Sequence, residues 1–171
     1  MSGKVPPPAS FDPYRVLAAL DEARVWCILI GGIARVLQGS DEVTRGVDLT
    51  PSPKPEGIER LAGALVRLDA APRNGATLAD AAADPEGVPL LAYDTAAGEV
   101  KVVVRPAGTR GYEDLRWKAQ HLHVGDGLRP HVAAPGDLVR MLEALERPAK
   151  ERSLEAMRRV VELDRGMGLE R

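Results

Sequence analysis

The chain has 171 residues, 23 basic against 25 acidic, for a formal net charge of −2. That length suits one domain with a real core, and the near-balanced charge excludes recruitment of nucleic acid by bulk field. A single cysteine excludes an intrachain disulfide, and no run approaches the roughly 20 apolar residues that a membrane span needs, so the chain reads as cytoplasmic.

The opening MSGKVPPPAS is polar and proline-rich, unlike a signal peptide, and residues 1–10 read as a disordered leader. Residues 11–171 read as one domain, with 135–171 its helical C-terminal portion. Asp12 and Pro13 form a helix start, and Val16, Leu17, Leu20 and Ala23 repeat at helical spacing, which predicts a helix over 13–23. Val25 to Ile30 is continuously apolar and ends at Gly31-Gly32, the pattern of a strand buried on both faces and closed by a tight turn. Cys27 sits inside that run as a small hydrophobe rather than a nucleophile. A short helix over 32–38 follows, then an extended segment over 43–50 that Pro51, Pro53 and Pro55 stop. Ile58, Leu61, Ala62, Leu65 and Leu68 mark the apolar face of the next helix.

Residues 70–87 are rich in Ala, Asp, Pro and Gly and read as a loop with one weak helical turn at LADAAAD. Strands are predicted over 88–93 and 99–105, joined as a hairpin by DTAAG. A helix over 112–119, a small hairpin or two extended pieces within HLHVGDGLRPHVA, and helices over 137–146 and 149–165 complete the chain. The charges of the last helix alternate in sign, as on a solvated face, rather than forming a nucleic-acid groove. His121 and His123 lie two apart without a third ligand at a recognised spacing, so they read as strand histidines.

Glycines after a strand let backbone N–H groups approach phosphate, a role open to Gly31 and Gly32, as is an ordinary strand-to-helix turn. The ordered set of an apolar strand, Gly-Gly, a short helix, VTRGVDL, then EVKVVVRPAGT, YEDL and HVAAPGDLVRMLEALERPAK resembles the minimal nucleotidyltransferases of the AbiEii and MenT toxin type, within the polymerase-beta-like superfamily. The resemblance spans roughly residues 14–150. It implies an α/β (α+β) fold, a nucleotidyltransferase-like mixed β-sheet with flanking helices and a helical C-terminal part. It also implies an Asp-x-Asp strand and a third acid on a later strand, which together hold Mg²⁺ against the phosphates of an NTP.

Carried over by position, Thr44 and Arg45 match the residues before the first aspartate, and Asp48 matches the second aspartate. Gly46 stands at the first aspartate and Lys101 at the third acid, so two of three expected ligands are replaced, leaving Asp48 as a weak residual metal ligand. Gly31, Gly32, Arg35, Ser40, Thr44 and Arg45 are the candidate nucleotide-binding residues. The first expectation is a degenerate nucleotidyltransferase that binds nucleotide or a protein such as an antitoxin and requires no cofactor. A second is an active Mg²⁺- and NTP-dependent enzyme whose rebuilt site uses Asp48 and Glu99, with Asp41 or Glu42 swinging in. A third is an interaction protein in which nucleotide binding is also lost.

Overall fold

The computed structural model describes residues 10–145 and 151–166. The expected leader falls outside these residues except for Ser10, as does the start of the last expected helix. The first half of the chain forms α1 (Pro13–Glu22), β1 (Cys27–Ile30), α2 (Gly31–Leu37), β2 (Gly46–Pro51), α3 (Pro55–Arg67), β3 (Ala71–Pro72) and α4 (Leu78–Ala83). The second half forms β4 (Leu91–Thr95), β5 (Gly98–Val102), α5 (Tyr112–Leu115), β6 (Gln120–His121), β7 (His131–Val132), α6 (Pro135–Leu145) and α7 (Glu151–Gly166).

Helix α1 begins where the Asp12 carboxylate accepts the Arg15 amide at 3.2 Å and Pro13 fills the first position, where no N–H is needed. Its buried face is Val16, Leu17, Ala19 and Leu20. The helix exits through Arg24 at φ +52°, whose amide donates to the Asp21 carbonyl while the Val25 amide donates to the Leu20 carbonyl. Glycine is the usual residue in that left-handed closing turn.

The seven strands form one mixed sheet in the order β3-β4-β5-β2-β1-β7-β6. Strand β1 lies inside it, antiparallel to β2 and parallel to β7, and its Ile28, Leu29 and Ile30 are all buried. An interior strand covered on both faces explains why that run carries no polar alternation. Strand β2 pairs in parallel with β5, and β5 turns back on β4 through Ala96-Ala97, where the Thr95 hydroxyl donates to the Gly98 carbonyl at 2.7 Å. Strand β5 alternates: Val100 and Val102 are buried, whereas Glu99 and Lys101 are half-buried on the other face. Helices α1 and α3 pack on each other and on β2, and α6 packs on α2 and α7, with Met157 of α7 fully buried.

Several expected boundaries move. The segment expected as strand from 43 joins the sheet only at Gly46, and Val43 is 88% exposed, because the Thr44 hydroxyl bonds the Gly46 carbonyl and shapes an entry loop. Strand β4 starts at Leu91 rather than 88, since the Val88 amide caps onto Asp84 and Pro89 has no N–H to give a ladder. Strand β5 ends at Val102, and the helix expected over 112–119 is only four residues long. The segment 70–87 holds more order than its composition suggests: β3 pairs with β4, and α4 carries a reciprocal cap between Thr77 and Asp80.

The hairpin of β6 and β7 stacks His121 on His131, ring centroids 4.3 Å apart and 6° from parallel. Burial foremost, then the neighbouring His121, lowers the His131 pKa from the ordinary 6.5. A histidine depressed in the folded state takes its proton more readily when unfolded, so stability is lost as pH falls through the unfolded value. Urea denaturation read above roughly pH 5, where ordinary carboxylates stay ionised, is expected to show stability declining as pH falls through 6.5, with a smaller decline in His131→Asn.

Candidate functional site

The site forms where β1 gives way to α2 beside β2. Ile30 pairs with Asp48, so the residue after Ile30 meets the Asp48 side chain. That residue is Gly31 at φ +65°, and a Cβ there would collide with Oδ2 of Asp48 and lie 3.0 Å from its Cβ and Cγ. Left-handed backbone and close approach both require glycine. A Cβ on Gly32 would come within 3.1 Å of the Thr44 hydroxyl. The structure therefore brings Gly31, Gly32, Thr44 and Asp48 together.

Arg35 and Ser40 sit beside this group but are turned to another task. Arg35, 5% exposed, forks onto Glu42, with Nε 3.0 and 2.9 Å from the two carboxylate oxygens and Nη2 2.8 Å from Oε1. The Ser40 hydroxyl donates to Oε2 of Glu42 at 2.8 Å, and the Ser153 hydroxyl donates from α7 to Oε1 at 3.4 Å. Glu42 thus ties α2, the entry loop and α7 together, whereas the sequence offers it only as an acid able to swing into a rebuilt site. Arg45 is exposed at the mouth of β2.

The parallel pairing of β2 with β5 sets Gly46 opposite Glu99 and Asp48 opposite Lys101. Side chains in register on neighbouring strands share a face, so Asp48, Glu99 and Lys101 all line the half-open side of the sheet. Lys101 Nζ lies 3.3 Å from Oε1 of Glu99, and Arg73 pairs with the other oxygen of Glu99 and with Asp94. Arg73 also donates through Nε to both oxygens of Asp94 at 3.0 Å. These bonds, Asp94 first and Glu99 second, raise the Arg73 pKa, and the same guanidinium lowers that of Asp94. Arg73 and Asp94 were missed in the sequence: Asp94 was read as the hairpin connection, whereas the ladder extends to Thr95 and sets Asp94 opposite Glu99.

Gly46 is fixed by contact. A Cβ there would stand 2.7 Å from the Glu99 carbonyl oxygen and 3.2 Å from the Glu99 Cβ, so an acid at this position requires the two strands to part. The donor set does not fit a divalent cation. Mg²⁺ is ordinarily held by carboxylates together with substrate phosphates, and here one carboxylate faces an ammonium while the other is bridged by two cations. Among the described residues no group of three His, Cys, Asp or Glu gathers to hold a metal. Lys101 and Arg73 set positive charge among Asp48, Glu99 and Asp94 on this face.

Neither a family model nor a curated protein matches the chain. Among solved structures, that of the antibiotic-resistance factor ANT(2'')-Ia, an aminoglycoside nucleotidyltransferase, is similar, with a TM-score of 0.59 over 92% of this chain and 83% of that one. The fold is nucleotidyltransferase-like. At 16% identity the likeness is one of fold. Among the described residues no helix is long and apolar enough to cross a membrane.

The close approach at Gly46 gives a direct stability prediction. Gly46→Ala should cost about 1–3 kcal/mol through overpacking against the β5 backbone. Gly63→Ala, on an exposed face of α3 with open space around it, should instead stabilise by about 0.5–1 kcal/mol. Urea denaturation of the two variants checks both signs.

Proposed function

We propose that this chain is a nucleotidyltransferase-fold binding protein of the AbiEii and MenT kind that has lost metal-dependent transfer. The observation that carries the reading is the register of β2 on β5, which sets Lys101 opposite Asp48 and packs Gly46 against the Glu99 backbone. In this reading the ammonium supplies, without a metal, positive charge that phosphates would otherwise find in Mg²⁺. Gly31, Gly32, Thr44 and Arg45 line the approach, and Arg35 and Ser40 act through Glu42 to brace it. The ligand is an NTP taken up without turnover, and a protein partner such as an antitoxin fits the same family reading.

The rival is an active toxin-like enzyme that transfers NMP from NTP to RNA or protein through Asp48 and Glu99. In its favour, the two acids share a face. Against it, Glu99 is already bridged by Arg73 and Lys101. Calorimetric titration with each NTP, with and without Mg²⁺, combined with a pyrophosphate-release assay, separates the readings. The expected outcome is NTP binding that Mg²⁺ does not strengthen, weakened at least tenfold by Lys101→Glu, with no pyrophosphate released. Mg²⁺-dependent pyrophosphate release that disappears in Asp48→Asn or Glu99→Gln would establish the rival instead.

A further inference from the structure

A concavity of about 770 Å³ opens at the other end of β1 from Gly31-Gly32. Its wall comes from the exit of α1, the start of β1, the segment after β2, α3, α5 and the hairpin of β6 and β7. No residue of the Asp48–Lys101 face lines it. The volume lies in the range of pockets that enclose small molecules, roughly 300–1,000 Å³.

The lining joins two chemistries. Leu17, Leu20, Leu29 and Leu128 contribute apolar surface, and Trp26 and Tyr112 contribute aromatic rings. Around them stand five cations, Arg24, Lys54, Arg60, Arg116 and Arg129, against two carboxylates, Asp21 and Glu113. Arg60 is spoken for: it pairs with Glu56 at 2.6 Å, and its guanidinium lies 4.6 Å from the centre of the Trp26 ring. Arg116 pairs with Glu113 at 3.1 Å. Among the described residues no ion pair engages Arg24, Lys54 or Arg129. A positive pocket on a chain of net charge −2 is a local feature rather than a consequence of composition.

Arg24 adds an independent sign. It occupies the left-handed turn after α1, at φ +52°, where glycine would be less strained. A charged side chain thus stands at the pocket in a backbone conformation that L residues rarely adopt. The same residue's carbonyl accepts Nη1 of Arg60 at 3.2 Å, which holds Arg60 over Trp26.

We propose that this pocket binds a small planar aromatic anion, its ring against Trp26 and Tyr112 and its phosphate or carboxylate head taken by Arg24, Lys54 and Arg129. An extended nucleic-acid strand would call for cations spread along the surface, whereas these converge on one concavity. Cys27 also lines the pocket, but burial pushes its thiol up to about 12, away from the thiolate that a nucleophile needs.

The test uses the full chain carrying Trp117→Phe, which leaves Trp26 as the single tryptophan and reporter. Its fluorescence is followed during titration with 1-naphthyl phosphate, 1-naphthoate, neutral 1-naphthol and inorganic phosphate. At least one naphthyl anion should bind saturably and at least tenfold more tightly than both naphthol and inorganic phosphate, and the better of the two anions identifies the head group. Arg24→Gly should weaken that binding at least tenfold while leaving the melting temperature unchanged or higher, because glycine relieves the turn. Arg129→Gln should weaken it as well, and Lys101→Glu, at the other site, should not. Naphthol binding as tightly as the anions, undiminished affinity in Arg24→Gly, or no saturable binding of either anion would overturn the proposal.

Discussion

The parallel register between β2 and β5 governs both the shape and the charge of the candidate site. Four residue pairs run in step from Gly46 against Glu99 to Leu49 against Val102. Val47, Leu49, Val100 and Val102 fall on the buried face, each at 1% exposure or less. A slip of one residue would turn those side chains to the open face and the charged ones into the core, so the apolar set locks the register. Once it is locked, Asp48 and Lys101 have to face the same side, and Gly46 has to meet the Glu99 backbone.

The open face then carries alternating charge: Asp94, Arg73, Glu99, Lys101 and Asp48 follow one another across three strands and the neighbouring segment. These ion pairs are partly exposed, so solvent screens them and they add little to stability. Their importance lies in neutralisation. A divalent cation would have to displace an ammonium from Glu99 and settle beside it, at a carboxylate that two cations already engage. An aspartate at Gly46 would also require β2 and β5 to part, because a Cβ there stands 2.7 Å from the Glu99 carbonyl oxygen.

Much of this was legible in the residues. The central strand was readable from an uninterrupted apolar run and the first helix from Asp12-Pro13, while the facing of Asp48 and Lys101 followed from the family resemblance that set both at metal-ligand positions. What stayed hidden depended on partners distant in sequence. Arg73 lies in a stretch whose composition reads as loop, and its role exists only because β3 pairs with β4. Arg35 looked like a phosphate contact until Glu42, seven residues on, was seen to occupy its guanidinium. The tightness at Gly46 is a property of two backbones, which no residue type announces. The pocket at the far end of β1 gathers side chains from residue 17 to residue 131, and only the fold brings them together.

The pocket at the far end of β1 carries an excess of positive charge, whereas acids and cations alternate on the β2–β5 face. On the proposed reading, the face that carries Asp48 and Lys101 takes up no divalent cation. The most direct measurement is paramagnetic broadening of amide signals in isotope-labelled protein titrated with Mn²⁺, a stand-in for Mg²⁺. The expected result is no selective, saturable broadening around Gly31, Asp48 and Glu99 in the unmodified chain, with such broadening appearing in Lys101→Asp. Saturable broadening centred on Asp48 in the unmodified chain would contradict the claim.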